Sequence, residues 1–216
     1  SGTGLTSNIR LEILEARSMD ELITPDRLYS RQEILSKPSP IPEISGVYGW
    51  FFKDVPPFVL TEGCIRHQNM TLLYIGISPD KKNKPQSRQH LKKRITNHYA
   101  GNAEGSTLRR SLGILLTPES HYPLRRVGSG RRMTFTHNGE QWLDAWMEKN
   151  AYVFWVEHET PWELEEDLLS ALSLPLNIQG NRSHPFAIEL NRLRKEAIHN
   201  ARELPIADET QQARNP

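Results

Sequence analysis

Two short strings constrain the fold of this chain more than anything else in it: Gly46-Val47-Tyr48 and Tyr74-Ile75-Gly76. Each places a phenol near a glycine inside an apolar run rich in β-branched and aromatic residues, the composition of a β-strand. Gly46 to Lys53 therefore reads as one strand and Thr71 to Ile77 as a second that pairs with it. Pro56-Pro57 and Glu62-Gly63 mark a loop between them. That excursion is long for a hairpin, so Phe58, Val59 and Leu60 are expected to extend a strand. Tyr152 to Glu157 is expected to be the third strand.

The flanking segments read mostly as helices. Residues 8 to 17, with Ile9, Leu11, Ile13 and Leu14, fit either a helix or a strand. Thr24-Pro25-Asp26 is expected to open a helix that reaches Leu35 and is stopped by Pro38, Pro40 and Pro42. Residues 79 to 89 form a polar, lysine-rich loop, His90 to Tyr99 a helix ended by Gly101-Asn102, and Ser106 to Leu115 a short helix. Arg125 to Arg132 contains Gly128-Ser129-Gly130 and is expected to be a flexible loop. Asn138-Gly139 is expected to cap a helix running through Trp142, Ala145 and Trp146. Thr160-Pro161-Trp162-Glu163 has the pattern of a capping box with proline at the first helical position, predicting a helix from Pro161 to about Leu172. His184-Pro185 precedes a last helix, with Phe186, Leu190 and Leu193 on one side and Arg192, Arg194 and Lys195 among its polar positions. A polar tail starts at Asp208.

Composition limits what such a chain can do. At 216 residues and 37% hydrophobic content it can bury one good core with appended helices. Its longest apolar runs, such as Tyr152-Val153-Phe154-Trp155-Val156, fall far short of the roughly 20 residues that cross a bilayer. A single cysteine, Cys64, excludes an internal disulfide and any multi-cysteine zinc site. The expected location is the cytoplasm, with no membrane partner. The net charge of +1 conceals an uneven distribution: between Lys81 and Arg132, thirteen lysines and arginines face only Glu104 and Glu119. That stretch carries +11 and the rest of the chain −10, so a polyanion would feel it strongly. His90, His98, Tyr99 and His121 are interleaved with it, a pattern that favours nucleic acid.

Taken together, Gly46-Val47-Tyr48, Tyr74-Ile75-Gly76, Arg94 within Leu91-Lys92-Lys93-Arg94-Ile95, Glu165 and Asn177 resemble the GIY-YIG nuclease family. The family pattern of a helix-opening glutamate, two aliphatics, a proline and an asparagine maps onto Glu165, Leu168, Leu169, Pro175 and Asn177. Glu166 is one place off that register, and valine replaces the first isoleucine. The resemblance implies an α/β (α+β) fold: a small central antiparallel β-sheet flanked by helices, with helical N- and C-terminal extensions. Residues 1–43 would form the N-terminal extension, 44–180 the nuclease domain with a basic insertion at 79–138, and 181–216 the C-terminal helix and tail.

The same resemblance implies a magnesium- or manganese-dependent endonuclease acting on DNA, in duplex form, as in the restriction-type branch. Repair or structure-selective nucleases, ribonucleases or toxins, and a non-catalytic binding module are the alternatives. Phosphodiester hydrolysis needs an activated water, neutralisation of charge on the phosphoryl oxygens and help for the leaving oxygen. Glu165 is the expected ligand of one ion that keeps several of its waters. Tyr48, with Tyr74, would position or deprotonate the water, and Arg94 would grip the phosphate with two prongs. His98, four residues after Arg94 on the same helix face, would carry protons or touch phosphate, and Asn177 would lock the turn. Lys92, Lys93, Arg109, Arg110, Arg125, Arg126, Arg131 and Arg132 are the expected DNA contacts. The oligomeric state is left open.

Overall fold

A computed structural model describes residues 3–80 and 88–215. The chain runs through helix α1 (Thr3–Ile23), α2 (Arg31–Ile34), strands β1 (Gly46–Phe52), β2 (Arg66–His67) and β3 (Met70–Ser78), then α3 (Leu91–Ala100), α4 (Thr107–Leu115) and α5 (Thr117–Ser120). It continues through β4 (Arg125–Val127), β5 (Arg132–Thr134), α6 (Thr136–Asn150), β6 (Ala151–Glu157), α7 (Pro161–Ala171) and α8 (Pro185–Glu203). Among the described residues the main sheet is antiparallel with strand order β2-β3-β1-β6.

Every residue of β1 and β3 is buried, so these apolar runs lie under helices on both sides. Side chains alternate along a strand, and the two faces feed two separate cores. Tyr48, Trp50 and Phe52 join Leu91, Ile95 and Tyr99 of α3, Leu108 and Leu112 of α4, Leu143 and Met147 of α6, and Phe186 and Leu190 of α8. Val47 and Phe51 join Leu22 of α1 and Leu164 and Leu168 of α7. The register slips between Trp50/Phe51 on β1, which pair with Tyr74 and Leu72 and leave Leu73 as the extra residue of a bulge. Leu72 thereby stays on the same face as Ile75 and Ile77, while Leu73 joins Tyr74 on the other.

Several sequence expectations change in three dimensions. Residues 8 to 17 are helical, within α1. The helix expected over Thr24 to Leu35 shrinks to α2, opened by a capping box between Ser30 and Glu33. Ahead of it Tyr29 exchanges backbone hydrogen bonds with Val153, so this stretch is held extended along the outer edge of β6 and cannot coil. Phe58 sits in a turn with φ 70°, and Phe58 to Leu60 extend no strand. Thr160 does not cap α7: its hydroxyl donates to the Glu163 carboxylate and its N–H to His158 Nδ1. The expected loop over Arg125 to Arg132 is a β4–β5 hairpin whose Gly128 and Gly130 adopt φ 59° and 84°. The lysine-rich stretch 79 to 89 lies partly outside the described residues, and with it Lys81, Lys82 and Lys84.

Helix α6 begins at Thr136, before the expected cap at Asn138-Gly139. Its first free N–H groups are met from far along the chain: His137 N donates to Glu209 Oε1 and Asn138 N to Gln212 Oε1. The polar tail is thus docked. Arg214 adds a 2.8 Å ion pair to Asp144.

Arg109 is the largest departure from a surface reading. It is fully buried, with Nη2 2.7 Å from Glu140 Oε2 and Nη1 2.9 Å from Asp144 Oδ1, and it also donates to the carbonyls of Tyr99 and Glu140. A guanidinium satisfied on all sides inside the core has no donor left for DNA. Removing one member of such a network strands the others without water, at a cost of about 3–5 kcal/mol. Arg109→Met should therefore lower the unfolding free energy measured by urea titration by about that amount. A DNA-contacting arginine would instead lose affinity and leave stability untouched.

Candidate active site

The sheet register places the two tyrosines. Tyr48 lies opposite Gly76 and Tyr74 opposite Trp50, so both phenols emerge on the face covered by α3. A Cβ built on Gly76 would collide with the Tyr48 phenol, and one on Gly46 would collide with the Val156 carbonyl of the neighbouring strand. The first glycine makes room for the ring. The second lets β6 close against β1.

Helix α3 is opened by the His90 side chain, which accepts from Lys93 N, and it turns Leu91, Ile95 and Tyr99 into the core. Arg94 and His98 share its remaining inward face. His98 is fully buried: Nε2 lies 2.8 Å from the Tyr48 hydroxyl, Nδ1 lies 2.7 Å from Ser106 Oγ, and the ring meets Trp50 and Tyr74 edge-on. Burial, with Arg94 and Arg109 adding their positive charge, holds His98 well below its ordinary pKa, so it is neutral at pH 7. The neutral ring thus stands between two hydroxyls, Tyr48 at Nε2 and Ser106 at Nδ1, donating from one nitrogen and accepting at the other. The Ser106 oxygen also accepts from Arg109 N.

The opposite wall comes from α7 and the segment after it. Trp162, Glu165, Glu166 and Leu169 of α7 face Tyr48, Tyr74 and Arg94 across a cleft of about 1210 Å³, with Asp80 and Arg194 also on its lining. Burial, reinforced by the charge of Asp80, pushes the Glu165 carboxyl up to about 7. Burial likewise raises both phenols, Tyr74 to about 12 and Tyr48 well above its ordinary range, with Arg94 pulling each back down. Among the described residues the buried Nε of Arg94 has no hydrogen-bond partner. Asn177 fixes this wall to the sheet: its Oδ1 accepts from Ile75 N and its Nδ2 donates to Ile75 O, each at 2.9 Å.

Residues 46–196 match the model of the GIY-YIG catalytic domain. The chain belongs to the GIY-YIG family. Nuclease activity is the function that this membership carries. No curated protein and no solved structure matches the chain.

The GIY-YIG fold brings Tyr48, Tyr74, Arg94, Glu165 and Asn177 to one cleft, and it sets His98 behind Tyr48 rather than on the cleft wall. The expected DNA contacts scatter. Lys93, Arg131 and Arg132 are exposed, Lys92 pairs with Glu43, and Arg110 pairs with Glu104. Arg125 and Arg126 donate to the carbonyls of Pro205, Ala201 and Leu204, tying the hairpin to the end of α8. Arg194, Arg182, Asn191 and Asp80 line the cleft without having been singled out. For Arg194 a signal was present: it follows buried Leu190 by four residues and so shares its inward helix face.

The neutral state of His98 has a measurable consequence. Its folded pKa lies below the unfolded value of about 6.5, so the unfolded chain binds more protons as pH falls. The stability that His98 contributes is complete above about pH 6.5 and is lost below it. Urea unfolding should show wild type losing its advantage over His98→Gln as pH drops beneath 6.5. A constant difference down to acid pH would mean that the ring is not held neutral.

Proposed function

We propose that this chain is a divalent-metal-dependent endonuclease that hydrolyses phosphodiester bonds of duplex DNA. The observation that supports it is the convergence of two buried phenols, an arginine with an unpartnered Nε and a desolvated carboxylate on one open cleft. The donor set suits a hard cation. Glu165 and Asp80 repel each other in a half-buried site, a conflict that a divalent ion relieves. No group of three His, Cys, Asp or Glu side chains gathers among the described residues, which fits magnesium or manganese retaining most of its water. Glu165 would hold the ion, with Asp80 adding negative charge. When bound, the ion neutralises charge on the phosphoryl oxygens and eases departure of the leaving oxygen.

The remaining work falls to the chain's own residues. A water attacks phosphorus and gives its proton to Tyr48 while the bond to the leaving oxygen breaks, and that oxygen takes a proton from solvent. Tyr48 can take that proton only as phenolate, which burial opposes and Arg94 favours; the phenolate oxygen would accept from His98 Nε2 in the tautomer that carries its hydrogen there. Arg94 orients and neutralises the scissile phosphate. The helices and hairpin grown on the tyrosine face favour a restriction-type role in host defence.

Plasmid nicking with magnesium and with EDTA tests the reading, alongside duplex DNA, single-stranded DNA and RNA as substrates. Preferential cleavage of RNA would replace the DNA assignment. Glu165→Ala should abolish cleavage and spare binding, whereas Glu166→Ala should stay active. Tyr48→Phe should slow turnover by about 10²- to 10⁴-fold, and Arg94→Ala at least as much. Tyr74→Phe near wild-type rate would assign the proton to Tyr48 alone, and full activity in both phenylalanine variants would sink the tyrosine mechanism.

The exposed arginines give a separate readout. Arg131→Ala with Arg132→Ala should reduce the slope of log K against log salt by about 0.9 for each lost phosphate contact. An unchanged slope would remove the hairpin tip from the DNA interface.

A further inference from the structure

The half-buried arginines of this protein mostly have an evident employer. Arg31 and Arg214 pair with Asp144, Arg110 with Glu104, and Arg125 and Arg126 with backbone carbonyls. Arg194 differs. It projects from α8 into the cleft, and no carboxylate pairs with it among the described residues. Only Nη1 is engaged, donating to Ser111 Oγ at 2.8 Å and to Thr107 O at 3.3 Å, while Nε and Nη2 make no hydrogen bond there. Its charged surroundings are unfavourable as well. Burial and the neighbouring Arg110 pull it down to about 10, with Tyr74 acting the other way.

A desolvated cation without a counter-ion is costly to keep. The same is true of Arg94, and the two share one environment: both line the cleft, and both act on the Tyr74 phenol. Ser111 and Thr107 hold one arm of the Arg194 fork fixed against α4, which aims the other arm without using it. Arg182 and Asn191 lie on the same lining as further donors. A planar fork held at one side and open at the other suits a phosphate oxygen pair.

We infer that Arg194, supported by Arg182 and Asn191, forms a second phosphate subsite that holds a non-scissile backbone phosphate of the strand being cut. This rests on the phosphodiesterase reading above and gives α8 a part in it: two cations separated along the cleft would set which phosphate meets Arg94. Arg194 is then a substrate-positioning residue, engaged before and during bond cleavage.

The test uses a duplex cut at one mapped position, remade with single neutral methylphosphonates at each phosphate flanking the scissile bond. For the wild-type protein, one flanking substitution should lower kcat/KM by about 10- to 100-fold, the range of a lost charge-assisted hydrogen bond. Arg194→Gln should lose a similar factor on the unmodified duplex and should be indifferent, within about twofold, to the methylphosphonate at that same phosphate. Lys195→Gln, one residue away and exposed, should behave as wild type throughout. Ser111→Ala keeps the charge and loosens its anchor, so it should retain the methylphosphonate sensitivity. That variant, with matched urea midpoints for all proteins, separates phosphate binding from a merely structural α4–α8 tie. If wild type cleaves but the penalties of Arg194→Gln and every methylphosphonate multiply independently, the subsite is overturned and the nuclease reading stands. If wild type cleaves no DNA under any metal condition, the DNA nuclease reading fails and takes the subsite with it.

Discussion

A single buried guanidinium organises the tyrosine side of this molecule. Arg109 draws Glu140 and Asp144 of α6 against α4, and it also donates to the Tyr99 carbonyl at the end of α3. Three helices are thereby held by one charge that cannot move without leaving the buried Glu140 carboxylate with no cation, Asp144 keeping Arg214 and Arg31. The same turn of chain carries Ser106, whose oxygen accepts from Arg109 N and whose hydroxyl meets His98. The position of Arg109 thus reaches Tyr48 through three hydrogen bonds, Arg109 N to Ser106, Ser106 to His98 and His98 to Tyr48. Its charge also helps keep His98 neutral, the state in which one ring nitrogen can accept while the other donates.

The other half of the cleft depends on an unpaired strand edge. Beyond its short pairing with β2, β3 has no strand partner among the described residues on the side away from β1. Its exposed N–H and C=O groups are met instead by the segment after α7, with Leu176 N donating to Leu73 O and the Asn177 carboxamide serving as both donor and acceptor to Ile75. An asparagine side chain copies the pattern of a backbone ladder, which a leucine or an aspartate in its place could not do. Glu165 sits on the helix immediately before this clamp, so sheet pairing sets its distance from the tyrosines. The two walls of the site are consequently fastened by unrelated means, one ionic and one amide.

What was legible in the sequence was local. The apolar runs of β1, β3 and β6 and the helices α3, α4, α7 and α8 declare themselves through periodicity and caps within a dozen residues. The cleft residues Tyr48, Tyr74, Arg94 and Glu165, with the Asn177 clamp, were legible only through their resemblance to the motifs of the GIY-YIG family. Errors arose where a distant partner decides. Thr24 to Leu35 looks helical until Tyr29 bridges to Val153, and Gly128-Ser129-Gly130 looks loose until the strands beside it pair and Arg126 reaches the carbonyl of Leu204. Arg109 reads as a surface charge because nothing near it in sequence shows that Glu140 and Asp144 will surround it. Arg194 was passed over for the converse reason, since a lone arginine among helix polar positions does not show that it lacks a carboxylate.

Charge counted along a chain is therefore a poor measure of the field a ligand meets. The +11 of the basic stretch includes Arg109, neutralised in the core, Arg110 and Lys92, paired with Glu104 and Glu43, and Arg125 and Arg126, each tied to carbonyls of the C-terminal segment. What remains is sorted into two kinds. Exposed cations such as Lys93, Arg131 and Arg132 sit in high dielectric, where they attract a polyanion from a distance and are screened by salt. Arg94 and Arg194 lie where water is partly excluded, so each is worth more to a phosphate that arrives and costs more while it waits. The first kind concentrates substrate around the protein, and the second decides where along the strand the chemistry can occur.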